Sequence, residues 1–143
     1  MSEKSITKEY HFHTYFHQNN RNECKNVQEL YNKITKFRDN GYFTIVPGRL
    51  NMDPVGPHAI GSFETWVPIE YFAKTYDFFL KNRGEFSVLI HPLTINELND
   101  HTSDVAWIGF PVPLDISPLK ETLDIVPMQY PELKLGYSAP EEN

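Results

Sequence analysis

Histidine carries most of the chemical potential of this chain. All six histidines precede Thr102, and three crowd one short stretch, Tyr10-His11-Phe12-His13-Thr14-Tyr15-Phe16-His17. In a strand, alternate side chains share a face, so His11, His13, Tyr15 and His17 project one way while Phe12, Thr14 and Phe16 project the other. One face is core. The other suits metal binding or proton transfer, because imidazole is the commonest side-chain metal ligand and titrates near neutral pH. Three neutral imidazoles, or two with a carboxylate, leave open positions on a divalent first-row metal. His11, His13, His91 and Glu64 are the candidate metal set. His58, between Pro57 and Ala59, is a further ligand or a proton carrier. His101 follows Asp100, whose carboxylate can orient it, and is the other candidate catalytic histidine. Arg49 is a candidate clamp for a substrate carboxylate through its bidentate fork. Tyr15 and Trp66 are candidate walls of an aromatic substrate pocket or of a subunit interface. His17, leading into Gln18-Asn19-Asn20-Arg21, reads as a solvated residue.

Periodicity indicates which elements must position these groups. Val27, Leu30, Tyr31, Ile34 and Phe37 recur at spacings of three and four, the period of an amphipathic helix, and Asn40-Gly41 supplies a stop. Phe43 to Val46 reads as a strand closed by Pro47-Gly48. A turn-rich connection leads to a strand over Ser62 to Val67. From Pro68, the set Ile69, Phe72, Ala73, Tyr76, Phe79 and Leu80 marks a second helix that stops at Asn82-Arg83-Gly84. A fourth strand runs from Phe86 to His91. The order strand, helix, strand, strand, helix, strand predicts an α+β, ferredoxin-like split βαβ fold: a four-stranded antiparallel sheet with two helices on one face. The first strand is then central. With Phe12 and Phe63 facing the helices, strand parity brings His11, His13, Glu64 and His91 together on the open face. Trp66, Leu89 and Tyr15 on that open face predict a homodimer.

Composition removes several classes of function. A chain of 143 residues, 40% hydrophobic and 14% aromatic, suits one compact domain and is too apolar for intrinsic disorder. The formal net charge of −6 and the lack of a basic stripe argue against DNA, RNA and anionic membranes as partners. Cys24 stands alone, which excludes an internal disulfide and a paired-cysteine zinc site. The polar start Met1-Ser2-Glu3-Lys4-Ser5 has no apolar run behind it, so a cytoplasmic location is expected. Ser62 lacks a G-x-S-x-G context, leaving only metal-assisted hydrolysis as a hydrolytic option. A non-catalytic domain holding zinc or a small ligand is the stronger competitor to an enzyme.

The blocks Tyr10 to Phe16, Gly56-Pro57-His58-Ala59-Ile60-Gly61-Ser62-Phe63-Glu64, Val88-Leu89-Ile90-His91-Pro92, Asp100-His101-Thr102 and Ala106-Trp107-Ile108-Gly109 resemble the DOPA 4,5-dioxygenase family. The resemblance spans residues 9 to 119. It implies a ferredoxin-like fold, often dimeric, and a mononuclear non-haem iron(II) site, with zinc or nickel as substitutes acquired in purification. It further implies extradiol cleavage of a catechol by dioxygen, with L-DOPA opened between ring carbons 4 and 5. Mapped onto this chain, it assigns metal binding to the first-strand histidines, His58 and His91, with His13 the preferred first-strand ligand. His58 or His101 is then the general base. The chain departs from the family pattern at Asp104, near which relatives often carry another histidine. Residues 1–8 are expected to be disordered or extended, and the proline-rich residues 120–143 to form an extended arm.

Overall fold

The computed structural model describes residues 6–39 and 46–141. Strand β1 (Glu9–Phe16) leads into helix α1 (Arg21–Asp39). Asn20 caps this helix, its side-chain carbonyl accepting the Glu23 N–H at 3.0 Å. Val27, Leu30 and Ile34 form the buried face of α1. A two-residue strand β2 (Val46–Pro47) follows, then β3 (Gly61–Pro68). The stop expected at Asn40-Gly41 and most of the strand expected over Phe43 to Val46 lie outside the described residues. After a 3₁₀ turn at Ile69–Tyr71 come α2 (Phe72–Asn82) and β4 (Ser87–Pro92). The stop after α2 is the expected one: Gly84 adopts φ +61°, a conformation that suits glycine. Beyond β4 lie a one-turn helix α3 (Glu97–Asp100) and a short strand β5 (Ala106–Ile108).

The sheet order is β2-β3-β1-β4-β5, every described pairing being antiparallel. Its first four strands are the expected α+β arrangement with β1 central. Strand β5, read from sequence only as part of a motif, extends the edge beside β4. One face packs on the two helices, where Phe12, Phe16, Val27, Ile34, Phe63 and Phe79 are fully buried. Helix α2 is rotated from the expected stripe. Thr75, Phe78 and Phe79 are its buried residues, whereas Tyr76 and Leu80 are exposed, because the spacing fits two overlapping stripes and the sheet takes only one.

The opposite face is not open. Residues after β5 return across it: Leu123 N–H donates to Ile95 O at 2.6 Å and Leu98 N–H to Lys120 O at 3.0 Å. Further on, Tyr137 N–H donates to a carboxylate oxygen of Glu9 at 2.9 Å and Tyr137 O–H to Leu93 O at 2.8 Å. Gly136, at φ +60°, passes so close to Glu9 that a Cβ there would stand 2.5 Å from Glu9 Cγ. This cover corrects the basis of the dimer expectation. Tyr15, Trp66 and Leu89 are each at most 2% exposed within a single chain, so they offer no apolar patch to a second copy. Among the described residues no helix is long and apolar enough to cross a membrane.

Candidate metal centre

The register of β1 assembles the histidines. His11 lies opposite Trp66 on β3 and His91 on β4, and His13 lies opposite Glu64 and Leu89. Residues directly opposed across an antiparallel pair share a face, so His11, His13, Glu64 and His91 converge as parity predicted. Nitrogen donors from His11, His13 and His91 all lie within 4.8 Å of one another, and all three residues are buried. A cavity of about 460 Å³ opens onto them, lined also by His58, His101 and Gln129.

Each ring is held by a defined partner. His91 Nδ1–H donates to the carbonyl of Pro92 at 2.9 Å, which leaves the lone pair on Nε2. His13 Nε2 stands 3.0 Å from that atom. His11 is flanked by two acceptors, with Nδ1 3.2 Å from Glu64 Oε1 and Nε2 2.5 Å from Gln129 Oε1. Gln129 Nε2 donates to Glu64 Oε2 at 3.0 Å and closes a three-residue ring. His58 sits in a loop fixed by backbone bridges to Val55 and Leu114. Its ring lies 4.2 Å from that of His13, and the Tyr15 hydroxyl donates to its Nδ1 at 2.6 Å. His101 follows α3, its Nδ1–H donating to Glu97 O at 2.8 Å, with its ring 4.0 Å from that of His91.

Burial sets the charge state of this cluster. Removal from water holds His13 and His91 well below the ordinary imidazole range, and their like-charged neighbours add to that shift. Burial also lowers His11, against the opposing pull of Glu64, and brings His58 down to about 4. Tyr15 is pushed up by burial and remains a proton donor at neutral pH. Buried imidazoles that stay neutral are the donor set that borderline divalent metals take, a change of tautomer freeing the lone pair where a ligating nitrogen now donates. The His13 and His91 Nε2 atoms already stand within hydrogen-bonding distance of one another. The residues present therefore fit a bound metal.

Not every candidate joins the cavity. Arg49 is exposed and absent from the lining. Tyr15 stands behind His58 rather than on the cavity wall. Trp66 is tucked under the returning segment, its indole N–H donating to Glu9 Oε1 at 3.0 Å and its ring 5.1 Å from that of Tyr130. Both aromatics were candidate walls of a pocket or of a subunit interface; here Trp66 packs on Tyr130 of the returning segment and Tyr15 on Trp107 of β5. His17 is exposed and paired with Glu23 at 3.0 Å. It borders a larger polar groove of about 740 Å³ between α1 and the turn before β4, away from the other five histidines.

Two contributors escaped the sequence reading. Glu9, 2% exposed, shares the parity of His11 and His13, so the alternation that marked those residues could have found it. Gln129 reaches His11 across 118 positions of the chain, and no local pattern announces such a contact.

Comparison with known proteins shows the family and the fold. A profile for the Dopa 4,5-dioxygenase family matches residues 10–118. A protein of Amanita muscaria named DOPA 4,5-dioxygenase is 50% identical over 136 residues, covering 94% of this chain and 60% of that protein. An uncharacterised 21.2 kDa protein of Botryotinia fuckeliana is 32% identical over 118 residues, covering 76% of this chain and 61% of its own. The chain thus spans about 60% of the length of these curated relatives. Among solved structures, that of a candidate dioxygenase from Nostoc punctiforme superposes with a TM-score of 0.67 at 24% identity, over 77% of this chain and 89% of that one, and supports the fold.

Proposed function

The chain belongs to the Dopa 4,5-dioxygenase family, and from that membership we propose that it opens the ring of a catechol such as L-DOPA with dioxygen, between ring carbons 4 and 5. The observation that carries the proposal is the convergence of His11, His13 and His91 in one buried cavity inside the family-matched region. These three are the proposed metal ligands. Glu64 and Gln129 act through His11 by fixing its ring. Iron(II) is the proposed metal, and when bound it supplies the redox chemistry that couples a catechol to dioxygen.

The remaining histidines divide proton handling by tautomer. His101 has Nδ1–H committed to Glu97 O, so its Nε2 lone pair accepts a proton from a catechol hydroxyl. His58 has Nδ1 occupied by the Tyr15 hydroxyl, so Nε2 carries the hydrogen and donates. Burial keeps His58 neutral at physiological pH, which preserves that role. Residues 9–119 form the proposed catalytic unit, and the segment from residue 120 excludes water from its sheet face.

The test is dioxygen uptake after anaerobic loading with iron(II) and addition of L-DOPA, recorded with the visible spectrum. The wild-type chain is expected to consume dioxygen and form a yellow ring-opened product. His13→Ala and His91→Ala are expected to bind metal at least about a hundredfold more weakly and to lose the uptake. Full iron occupancy without uptake would instead favour a metal-binding domain.

A further inference from the structure

Three acidic residues line the histidine cavity, Glu64, Glu97 and Asp100, and among the described residues no lysine or arginine does. Their engagements differ. Glu64 is held by His11 and Gln129. Asp100, 3% exposed, accepts from the backbone N–H and hydroxyl of Thr94 at 2.8–2.9 Å. Glu97 opens α3, and its backbone carbonyl orients His101. Its half-buried carboxylate has no hydrogen-bond or ion-pair partner among the described residues. Lys120 passes nearby through its backbone carbonyl, which accepts from Leu98, yet Lys120 and Arg49 are exposed and off the lining.

We propose that this cavity selects catechols bearing an ammonium group, with Glu97 as the counter-ion, and discriminates against catechols whose only side-chain charge is a carboxylate. The inference rests on the ring-opening function proposed above. His13, His91, His101 and Glu97 line one cavity, so a catechol whose hydroxyls meet the histidines can direct its side chain toward Glu97. An ammonium there gains a charge-assisted hydrogen bond in a partly desolvated wall. A carboxylate in the same place meets the like charge of Glu97, with no lysine or arginine among the lining residues to receive it. For an amino acid substrate, the ammonium is read by the wall and the carboxylate is left toward solvent.

Anaerobic calorimetric titration of the metal-loaded protein tests this without turnover, using dopamine, 3-(3,4-dihydroxyphenyl)propionate and the uncharged 4-methylcatechol. Dopamine is expected to bind at least about tenfold more tightly than the propionate, with 4-methylcatechol between them. Glu97→Gln is expected to narrow the cation-to-anion ratio to within about threefold. Each ratio is taken within one protein, so a partly unfolded variant does not distort it. Equal Kd values for cation and anion, or a ratio unchanged in Glu97→Gln, would overturn the charge selectivity alone. Failure of all three catechols to bind would overturn it together with the ring-opening function.

Discussion

The two faces of β1 are equally dry and chemically opposite. Toward the helices, Phe12 and Phe16 are 0% exposed and meet Phe63, Phe79 and the apolar face of α1. Toward the returning segment, Glu9 and Tyr15 are 2% exposed and His13 is 4% exposed. Each of these polar groups has a named partner: Trp66 and Tyr137 for Glu9, His58 for Tyr15, and His91 for His13. One face is closed by shape and apolar area. The other is closed mainly by matched donors and acceptors, since a buried polar group left unpaired costs about 1–3 kcal/mol; the buried Ser62 hydroxyl opposite Tyr15 is an exception, with no partner among the described residues. Low exposure alone does not define a core. The helix face stabilises the fold, and the other keeps reactive groups neutral, oriented and away from water.

Substitutions on either side sharpen that contrast. Phe12→Ala is expected to be the most damaging to stability, at about 3–5 kcal/mol in urea unfolding, while the molecules that remain folded bind metal normally. Glu9→Gln places an amide donor against either the Trp66 or the Tyr137 N–H. The expected loss is about 1.5–3 kcal/mol, with faster hydrogen exchange at the Tyr137 amide. Gln129→Ala removes the residue that bridges His11 and Glu64. It is expected to weaken metal binding about tenfold in chelator competition with little change in unfolding midpoint.

Acid separates the faces by charge rather than by contact. The buried histidines take up protons less readily in the folded chain than when unfolded, so they contribute no pH dependence above their ordinary value of 6.5. As pH falls from 6.5 toward the value of about 4 reached by His58, the unfolded chain binds protons that the folded chain refuses, and stability is lost. The metal-free protein is expected to melt at a lower temperature near pH 5 than near pH 7.5, about the unperturbed imidazole range. Phe12→Ala should show the same pH slope as wild type, because the titrating groups lie on the other face. A slope altered by that substitution would break the comparison.

Much of the site was legible because a strand has a period of two. A single alternation in β1, combined with the parity of Glu64 and His91, was enough to gather four residues from three strands. The helix face of the sheet was legible for the same reason. The closing of the other face was not, because Gln129, Tyr130 and Tyr137 act through single long-range contacts rather than a repeating pattern. The orientation of α2 was ambiguous because Tyr76 and Leu80 fit an apolar stripe as well as Thr75 and Phe79 fit another. Trp66 and Arg49 had the right chemistry for a pocket wall, but their place depended on loops that periodicity does not describe.

In the function proposed above, the histidine face supports insertion of dioxygen into a catechol ring. Mass spectrometry of the product formed from L-DOPA by the iron-loaded protein under ¹⁸O-labelled dioxygen tests it most directly. A ring-opened product carrying both labelled oxygen atoms before exchange with water is expected, absent in His91→Ala. An unlabelled quinone, or no product with iron confirmed in place, would contradict it.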